Sequence, residues 1–357
     1  MRVLYFGTYQ RDYPRNAQVI SCLRGAGVAV DERHVAVWDG RRDNWSAGVG
    51  AAARLAAAEL RLLRPPADGF DALLVGYPGH FDLPAARLAA RGRPVVFNPL
   101  VSLSDTFVSD RGRFRHGSPA ARALAAADRR ALRAATLVVA DTRAGADHLA
   151  GLADLPREQV EVAFVGAEDR LFTPGQEPAE PFTVLFVGKL IPLHGLETIL
   201  AAARAAPDLP FRLVGSGQLE HLIRERPSNV EWLPWLEYEL LPGELHRAGC
   251  ALGIFGTSDK ASRVIPNKAF QALACGTPLV TSDTPAAREL LVDGESALLV
   301  PPGDPAALSA ALRRLAADRQ LARRLAAGGR AAYEARASEE VLGRRWRELI
   351  ELAVART

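Results

Sequence analysis

Short runs of β-branched and apolar residues alternate with alanine-rich stretches of helical period along most of this 357-residue chain. In the first half the runs fall at 3–6, 29–34, 72–75, 95–97 and 137–140, separated by helical stretches such as 46–64, 83–91, 118–134 and 143–150. In the second half they fall at 183–187, 211–214, 230–233, 251–254, 278–281 and 297–300, with helical stretches at 195–206, 217–224, 237–247, 266–275, 285–291 and 304–316. Runs this short and apolar read as strands buried on both faces, the habit of parallel sheets covered by crossover helices. Two such sets predict an α/β protein of two doubly wound, Rossmann-like domains. The length agrees, being too great for one ordinary core.

Phe172–Phe182 carries three prolines and little apolar character, so it reads as a linker. The predicted domains are therefore 1–172 and 173–340. The last segment, Ser338 to Arg356, is a helix of its own. Ser338 suits its N-cap, and Glu339 and Glu340 suit its first turn. Leu342, Trp346, Leu349, Ile350 and Ala353 form an apolar stripe at helical spacing, so this helix must dock on another element.

Composition narrows the class. Hydrophobic content of 48% and charged content of 24% are those of a globular protein, and a net charge of +3 gives no nucleic-acid signal. Basic charge is local: seven arginines lie between Phe107 and Ala134 against Asp110 and Asp128. That run reads first as a solvated helix face, with an acidic acceptor or an anionic membrane surface as alternatives. Trp38 and Trp45 beside Arg41 and Arg42 permit a lipid-linked or polyanionic acceptor and peripheral membrane contact, and a soluble acceptor equally. Cys22, Cys250 and Cys275 are odd in number and far apart, which suggests neither a disulfide framework nor a metal site. The start MRVLYFGTYQ leads straight into a strand pattern without a signal core, and no run of 18 apolar residues occurs. A cytoplasmic protein is expected.

Only Lys189, Lys260 and Lys268 are lysines among 44 basic residues, and all three sit in Gly- or Pro-rich turns of the second half. Where arginine serves almost everywhere, a retained lysine marks a place for a compact, strongly hydrated point charge. In FVGKLIPLHGLETIL a strand runs into a turn with Gly188 and Gly195 at a helix start, the usual setting for phosphate binding, with Lys189 and His194 flanking it. LVGSGQLE is a second such turn, around Gly215. In VIPNKAFQALACG, Pro266 suits the first helical turn and Gly276 the C′ position. Phe270, Leu273 and Ala274 should face the core, while Lys268, Gln271 and Cys275 emerge together on the other side.

With these residues in hand, the stretch 165–330 resembles a family-4 glycosyltransferase of the GT-B architecture. The likeness runs in order through GAEDRLFTP, VGKLIPLHG, LVGSGQLE, the helix 266–276, TPAAREL and VDGESALLVPPGDPAAL. The resemblance implies two Rossmann-like domains facing across a cleft, the first taking the acceptor and the second the nucleotide-sugar donor. It also implies a final helix, 341–357, crossing back to the first domain. Lys189 takes the place of the basic residue that contacts the donor diphosphate, and His194 that of the lysine before the second glycine. Gln271 takes the place of the second glutamate of the E-x7-E motif, which holds the ribose hydroxyls. Arg263 takes that of the first, near the transferred sugar. Both glutamates are thus replaced. Lys260 and Lys268 could restore the charge lost at His194.

The family also implies transfer with retention at the anomeric carbon. No Asp-x-Asp pair occurs, so Lys189, Lys268 and Lys260 are expected to clamp the leaving diphosphate without a metal or other cofactor. Inversion would instead need a general base from the first domain, for which His80, Asp105 and His116 are candidates. The loop GTYQRDYPRN places Arg15 and Asn16 where they could meet acceptor or phosphate. The expected activity is sugar transfer from a nucleotide-diphosphate sugar to a glycan, lipid-linked sugar or small-molecule hydroxyl. The alternatives are a nucleotide-sugar-binding protein without turnover and a nucleotide-sugar epimerase of the same architecture.

Overall fold

This computed structural model describes every residue except Asp12, 38–48, 65–68 and 176–180, and the side chains of 49–52. The tryptophans and arginines at 38, 41, 42 and 45, and the start of the helix expected from 46, lie outside the described residues. The chain divides into two compact units, Met1–Phe164 with Glu339–Thr357, and Val165–Ser338.

The first unit runs β1 (Arg2–Gly7), α1 (Pro14–Gly25), β2 (Ala29–His34), α2 (Val49–Leu62), β3 (Ala72–Val75), α3 (Leu83–Ala90), β4 (Val95–Phe97), α4 (Pro119–Ala134), β5 (Leu137–Ala140), α5 (Arg143–Ala153) and β6 (Val160–Val162). Its six strands are parallel in the order β2-β1-β3-β4-β5-β6. The second unit runs β7 (Val184–Val187), α6 (Leu196–Ala205), β8 (Phe211–Val214), β9 (Val230–Leu233), α7 (Leu241–Arg247), β10 (Cys250–Leu252), α8 (Asp259–Arg263), α9 (Asn267–Cys275), β11 (Leu279–Ser282), α10 (Pro285–Arg288), β12 (Leu298–Val300), α11 (Pro305–Ala317) and α12 (Arg319–Arg336). Its sheet is also parallel, ordered β12-β11-β10-β7-β8-β9. The expectation of two doubly wound sheets holds. The strand order reverses between β1 and β3 in one sheet and between β7 and β10 in the other, and such reversal points open a crevice at the strands' carboxyl ends.

The last helix, α13 (Glu339–Ala355), returns to the first unit and packs on α1. All five residues of its apolar stripe are buried there, so the helix is held by side-chain burial worth about 1.5–3 kcal/mol for each large residue.

Several elements departed from the sequence expectation: the stretch 217–224 forms a 3-10 helix at Glu220–Glu225 in place of an α-helix, and α8 was not anticipated. Helix α1 begins at Pro14, where the sequence reads as a loop. Its buried face includes Arg15, Asn16 and Gln18, so no apolar stripe announces it. Strand β6 is only three residues long and half-exposed at a sheet edge. Helix α12 is disguised by Gly328 and Gly329. Both are required by packing, because a Cβ at Gly328 would lie 2.1 Å from the Glu295 carbonyl oxygen and one at Gly329 2.9 Å from that of Ser296. The proline-rich stretch at 172–182 is not where the units divide; its Phe172 is fully buried in the second unit.

Candidate functional site

In the second unit the crevice is built from two close backbone approaches. Gly188 follows β7 with φ +150°, and Gly215 follows β8 with φ +139°. A Cβ on Gly215 would sit 2.0 Å from the Gly188 carbonyl oxygen, so the two turns can meet only as glycines. Gly195 caps α6 in the left-handed region and lies against the backbone of Phe255 and Gly256 after β10. The amide of Phe255 donates to the His194 carbonyl at 3.1 Å, tying the β7 and β10 turns together.

Lys268 comes into this crevice from the first turn of α9. Its Nζ lies 3.7 Å from the centroid of the Phe186 ring and fills the space beside Gly188, where a Cβ would meet it at 2.8 Å. That nitrogen is buried and has no hydrogen-bond acceptor. Burial pushes the ammonium pKa well below the ordinary lysine value, because a desolvated charge without a counter-ion is costly. The Phe186 ring face offsets part of that cost.

His194 stands next to it, its ring 5.6 Å from that of Phe186. Its Nδ1 is hydrogen-bonded to the Lys189 carbonyl oxygen, so Nδ1 carries a proton and Nε2 can donate to an anion only when the ring takes a second one. Lys189 is exposed on the turn, while Lys260 is buried in the short α8, which Ser258 caps. Arg263 ends α8.

Gln271 shares α9 with Lys268 but does not share its surroundings. Both Gln271 and Cys275 are buried, so the face expected to emerge from the unit is covered. The Gln271 Nε2 donates to the Tyr238 hydroxyl at 3.4 Å. Tyr238 stands edge-on to Phe172 at 5.6 Å, with the Glu168 carboxylate near its hydroxyl. Burial and that carboxylate raise the Tyr238 pKa. Sequence reading missed Tyr238 and Glu168, although Glu168 lies inside the GAEDRLFTP segment that carried the resemblance.

The first unit treats its expected site residues differently. Arg15 is fully buried. Its guanidinium donates to Asn98 Oδ1 (3.2 and 3.3 Å), the Phe164 carbonyl (2.6 Å) and the Ala163 carbonyl (3.0 Å), and lies over the Trp346 ring. Asn16 accepts from the Tyr5 hydroxyl and the Tyr77 amide, and donates to the Gln10 and Tyr77 carbonyls. Both are interior struts rather than residues of a ligand loop.

His80 is corrected in the same way. One ring nitrogen meets the Pro78 carbonyl at 2.5 Å, and the other lies 3.4 Å from Asp128. Asp128 in turn accepts from the Ser102 hydroxyl and from the backbone amides of Leu103 and Ser104. Burial lowers the His80 pKa, and the side chain is 1% exposed. With both nitrogens committed, it braces the loop after β4 and cannot reach a substrate proton. Asp105, in the turn beyond that loop, lies 3.9 Å from His148. His116 is exposed ahead of α4. Among the described residues no His, Cys, Asp and Glu cluster could hold a metal ion, and no helix is long and apolar enough to cross a membrane.

Residues 181–318 match the family Glycosyl transferases group 1. A phosphatidyl-myo-inositol mannosyltransferase of Mycobacterium leprae is 34% identical over 157 residues, covering 41% of this chain and 40% of that protein. A D-inositol 3-phosphate glycosyltransferase of Geodermatophilus obscurus is 31% identical over 249 residues, covering 58% of this chain and 53% of that protein. The chain thus spans about half or less of the length of these curated relatives. Among solved structures, sucrose-phosphate synthase from Thermosynechococcus elongatus superposes with a TM-score of 0.76 at 18% identity, covering 100% of this chain and 99% of that one. Anabaena HepE in complex with UDP-glucose superposes with a TM-score of 0.70 at 16% identity, covering 99% of this chain and 100% of that one. At such identities the likeness is one of fold, and the fold is that of GT-B glycosyltransferases.

Proposed function

We propose that this chain, with a Glycosyl transferases group 1 domain over 181–318 on a GT-B fold, moves a sugar from a nucleotide-diphosphate sugar to an acceptor hydroxyl. The observation that carries the reading is the Lys268 ammonium position, buried at the reversal point of the second sheet with no acceptor of its own. A diphosphate beside Gly188 would supply that acceptor. Uncapped amides at the start of α9 and the exposed Lys189 add positive potential toward the same anion.

In this reading the bond between the anomeric carbon and the β-phosphate oxygen breaks as a new bond to the acceptor oxygen forms. Lys268 and Lys189 stabilise the charge that develops on the departing phosphate, which needs no metal. That phosphate takes the acceptor proton, and the sugar keeps its anomeric configuration. The enclosure of His80 supports retention, since it removes one of the bases that inversion would require.

The acceptor belongs among sugars, lipid-linked sugars and small polyols. Two relatives are named for inositol-bearing acceptors, so inositol derivatives are the first to assay. The test is a thermal-shift screen of UDP, GDP and their sugars, followed by release of nucleoside diphosphate with and without acceptors. Acceptor-dependent release supports the proposal. Binding without release across the acceptor panel would make the chain a donor-binding protein, and free epimerised sugar released without acceptor would make it an epimerase.

A further inference from the structure

Helices α2, α3 and α4 lie side by side over the first sheet, with Leu62, Leu83, Ala86, Ala131 and Leu132 turned into the core. Every arginine on these helices is exposed, Arg61, Arg87, Arg129 and Arg130 among them. Their carboxylates are turned away from solvent. Asp128 is buried and accepts from Ser102 and from the amides of Leu103 and Ser104. Glu59 is half-buried, with its Oε1 enclosed. Among the described residues, Arg133 is the one arginine of the three helices in an ion pair, with Asp154 at 3.8 Å. The outer face therefore carries positive charge with little to offset it.

The same helices hold the first unit's exposed apolar surface. Away from the chain ends, the exposed large apolar side chains among the described residues of this unit are Leu60, Leu63, Phe81 and Leu88. Leu60 lies on α2 and Leu88 on α3, and they are 69% and 68% exposed. Leu63 follows α2 directly, and Phe81 precedes the Asp82 N-cap of α3. Single exposed leucines are ordinary, but several gathered among arginines mark an interaction surface.

We propose that the outer face of α2, α3 and α4 docks on a bilayer surface rich in anionic phospholipid. The leucines and Phe81 reach the acyl boundary while the arginines meet lipid phosphates, so each half of the composition answers to one half of such a surface. A nucleic acid would meet the arginines but leave the aliphatic side chains without a partner. A second copy of this chain would set like charges against one another. Docking of this kind is independent of what the second unit binds.

Sedimentation of the full chain with vesicles tests it, using phosphatidylcholine alone and an equimolar mixture with phosphatidylglycerol. The parent chain should bind the anionic vesicles at least about tenfold more tightly than the neutral ones, and added salt should weaken that binding. Arg129→Glu with Arg130→Glu should weaken it by about tenfold or more, since each reversal removes an attraction and adds a repulsion. Leu60→Ser with Leu88→Ser should weaken it by about the same factor. All four side chains are exposed, so these variants keep the fold, which circular dichroism checks. Arg323→Glu with Arg324→Glu, exposed on α12 of the second unit, changes the net charge equally and should leave binding intact. Equal or absent binding of the parent chain to the two kinds of vesicle would overturn the proposal, as would equal losses in the α4 and α12 variants. Binding that follows the arginines and ignores the leucines would overturn it too, and would mark a site for a soluble polyanion such as a nucleic acid.

Discussion

In each unit a helix beside the sheet carries a cation with a buried charged end in its first turn, and Arg15 and Lys268 are treated in opposite ways. Arg15 of α1 is met by two backbone carbonyls, a side-chain amide oxygen and an indole ring. Lys268 of α9 is met by an aromatic face and a glycine, and its Nζ has no acceptor. A satisfied buried cation is a structural tie, while an unsatisfied one costs stability and marks a place where a ligand would complete it. The contrast makes the first residue a structural tie and supports the diphosphate contact proposed for the second, although the sequence offers both as anion contacts.

The largest expected effect tests the architectural half. Arg15→Met should lower stability by about 3–5 kcal/mol, because three acceptors lose their donors inside the unit. Chemical denaturation measures it. A loss below about 1 kcal/mol would mean that water reaches those carbonyls and that Arg15 is not the strut described.

The converse change at the other cation should separate binding from stability. Lys268→Met should weaken nucleoside-diphosphate binding by about 1–3 kcal/mol through loss of a charge-assisted hydrogen bond. The same variant should be more stable than the parent by about 1 kcal/mol at neutral pH, since it removes a desolvated amine and keeps the packing on Phe186. The sign follows from linkage: the unfolded chain protonates this lysine at higher pH than the folded one, so the folded state is penalised below the ordinary lysine pKa. A variant that binds normally, or that is less stable than the parent, breaks the contrast.

pH sharpens it further. Burial holds the Lys268 pKa down, and a diphosphate bound there would raise it. Affinity should therefore fall as pH rises above that lowered pKa, by up to about tenfold per unit. His194 also faces this nitrogen, and the nucleotide's terminal phosphate titrates near pH 6. Titrations above pH 7 in buffers of different ionisation enthalpy isolate the proton taken up by Lys268. Lys268→Met should abolish the uptake; uptake that persists would place the titrating group elsewhere.

The two units also differ in how much the sequence discloses. Both sheets were legible because buried parallel strands write themselves as short apolar runs, and the stripe on α13 was legible because its partners are apolar. Helix α1 was not, since its buried face is polar and only the tertiary structure supplies Asn98 and the Ala163 and Phe164 carbonyls for Arg15. On the donor side, glycines that pack backbone against backbone mark the turns in sequence, so Gly188, Gly195 and Gly215 announced the crevice. Tyr238 was hidden because it reaches Gln271 from 33 positions away, and no local spacing encodes such a meeting.

The smallest expected effect separates the two donor-side lysines. Lys189 is exposed on the β7 turn, where either long cation can swing toward a phosphate and solvent weakens the difference between a point charge and a fork. Lys189→Arg should therefore change nucleotide affinity by no more than about 0.5 kcal/mol. Lys268→Arg should not be silent, because a guanidinium is larger than the space between Phe186 and Gly188 that now holds a single ammonium nitrogen. Calorimetry on both variants decides whether the retained lysines are retained for shape or for charge alone. Equal effects at the two positions would show that burial at Lys268 confers no selectivity for lysine.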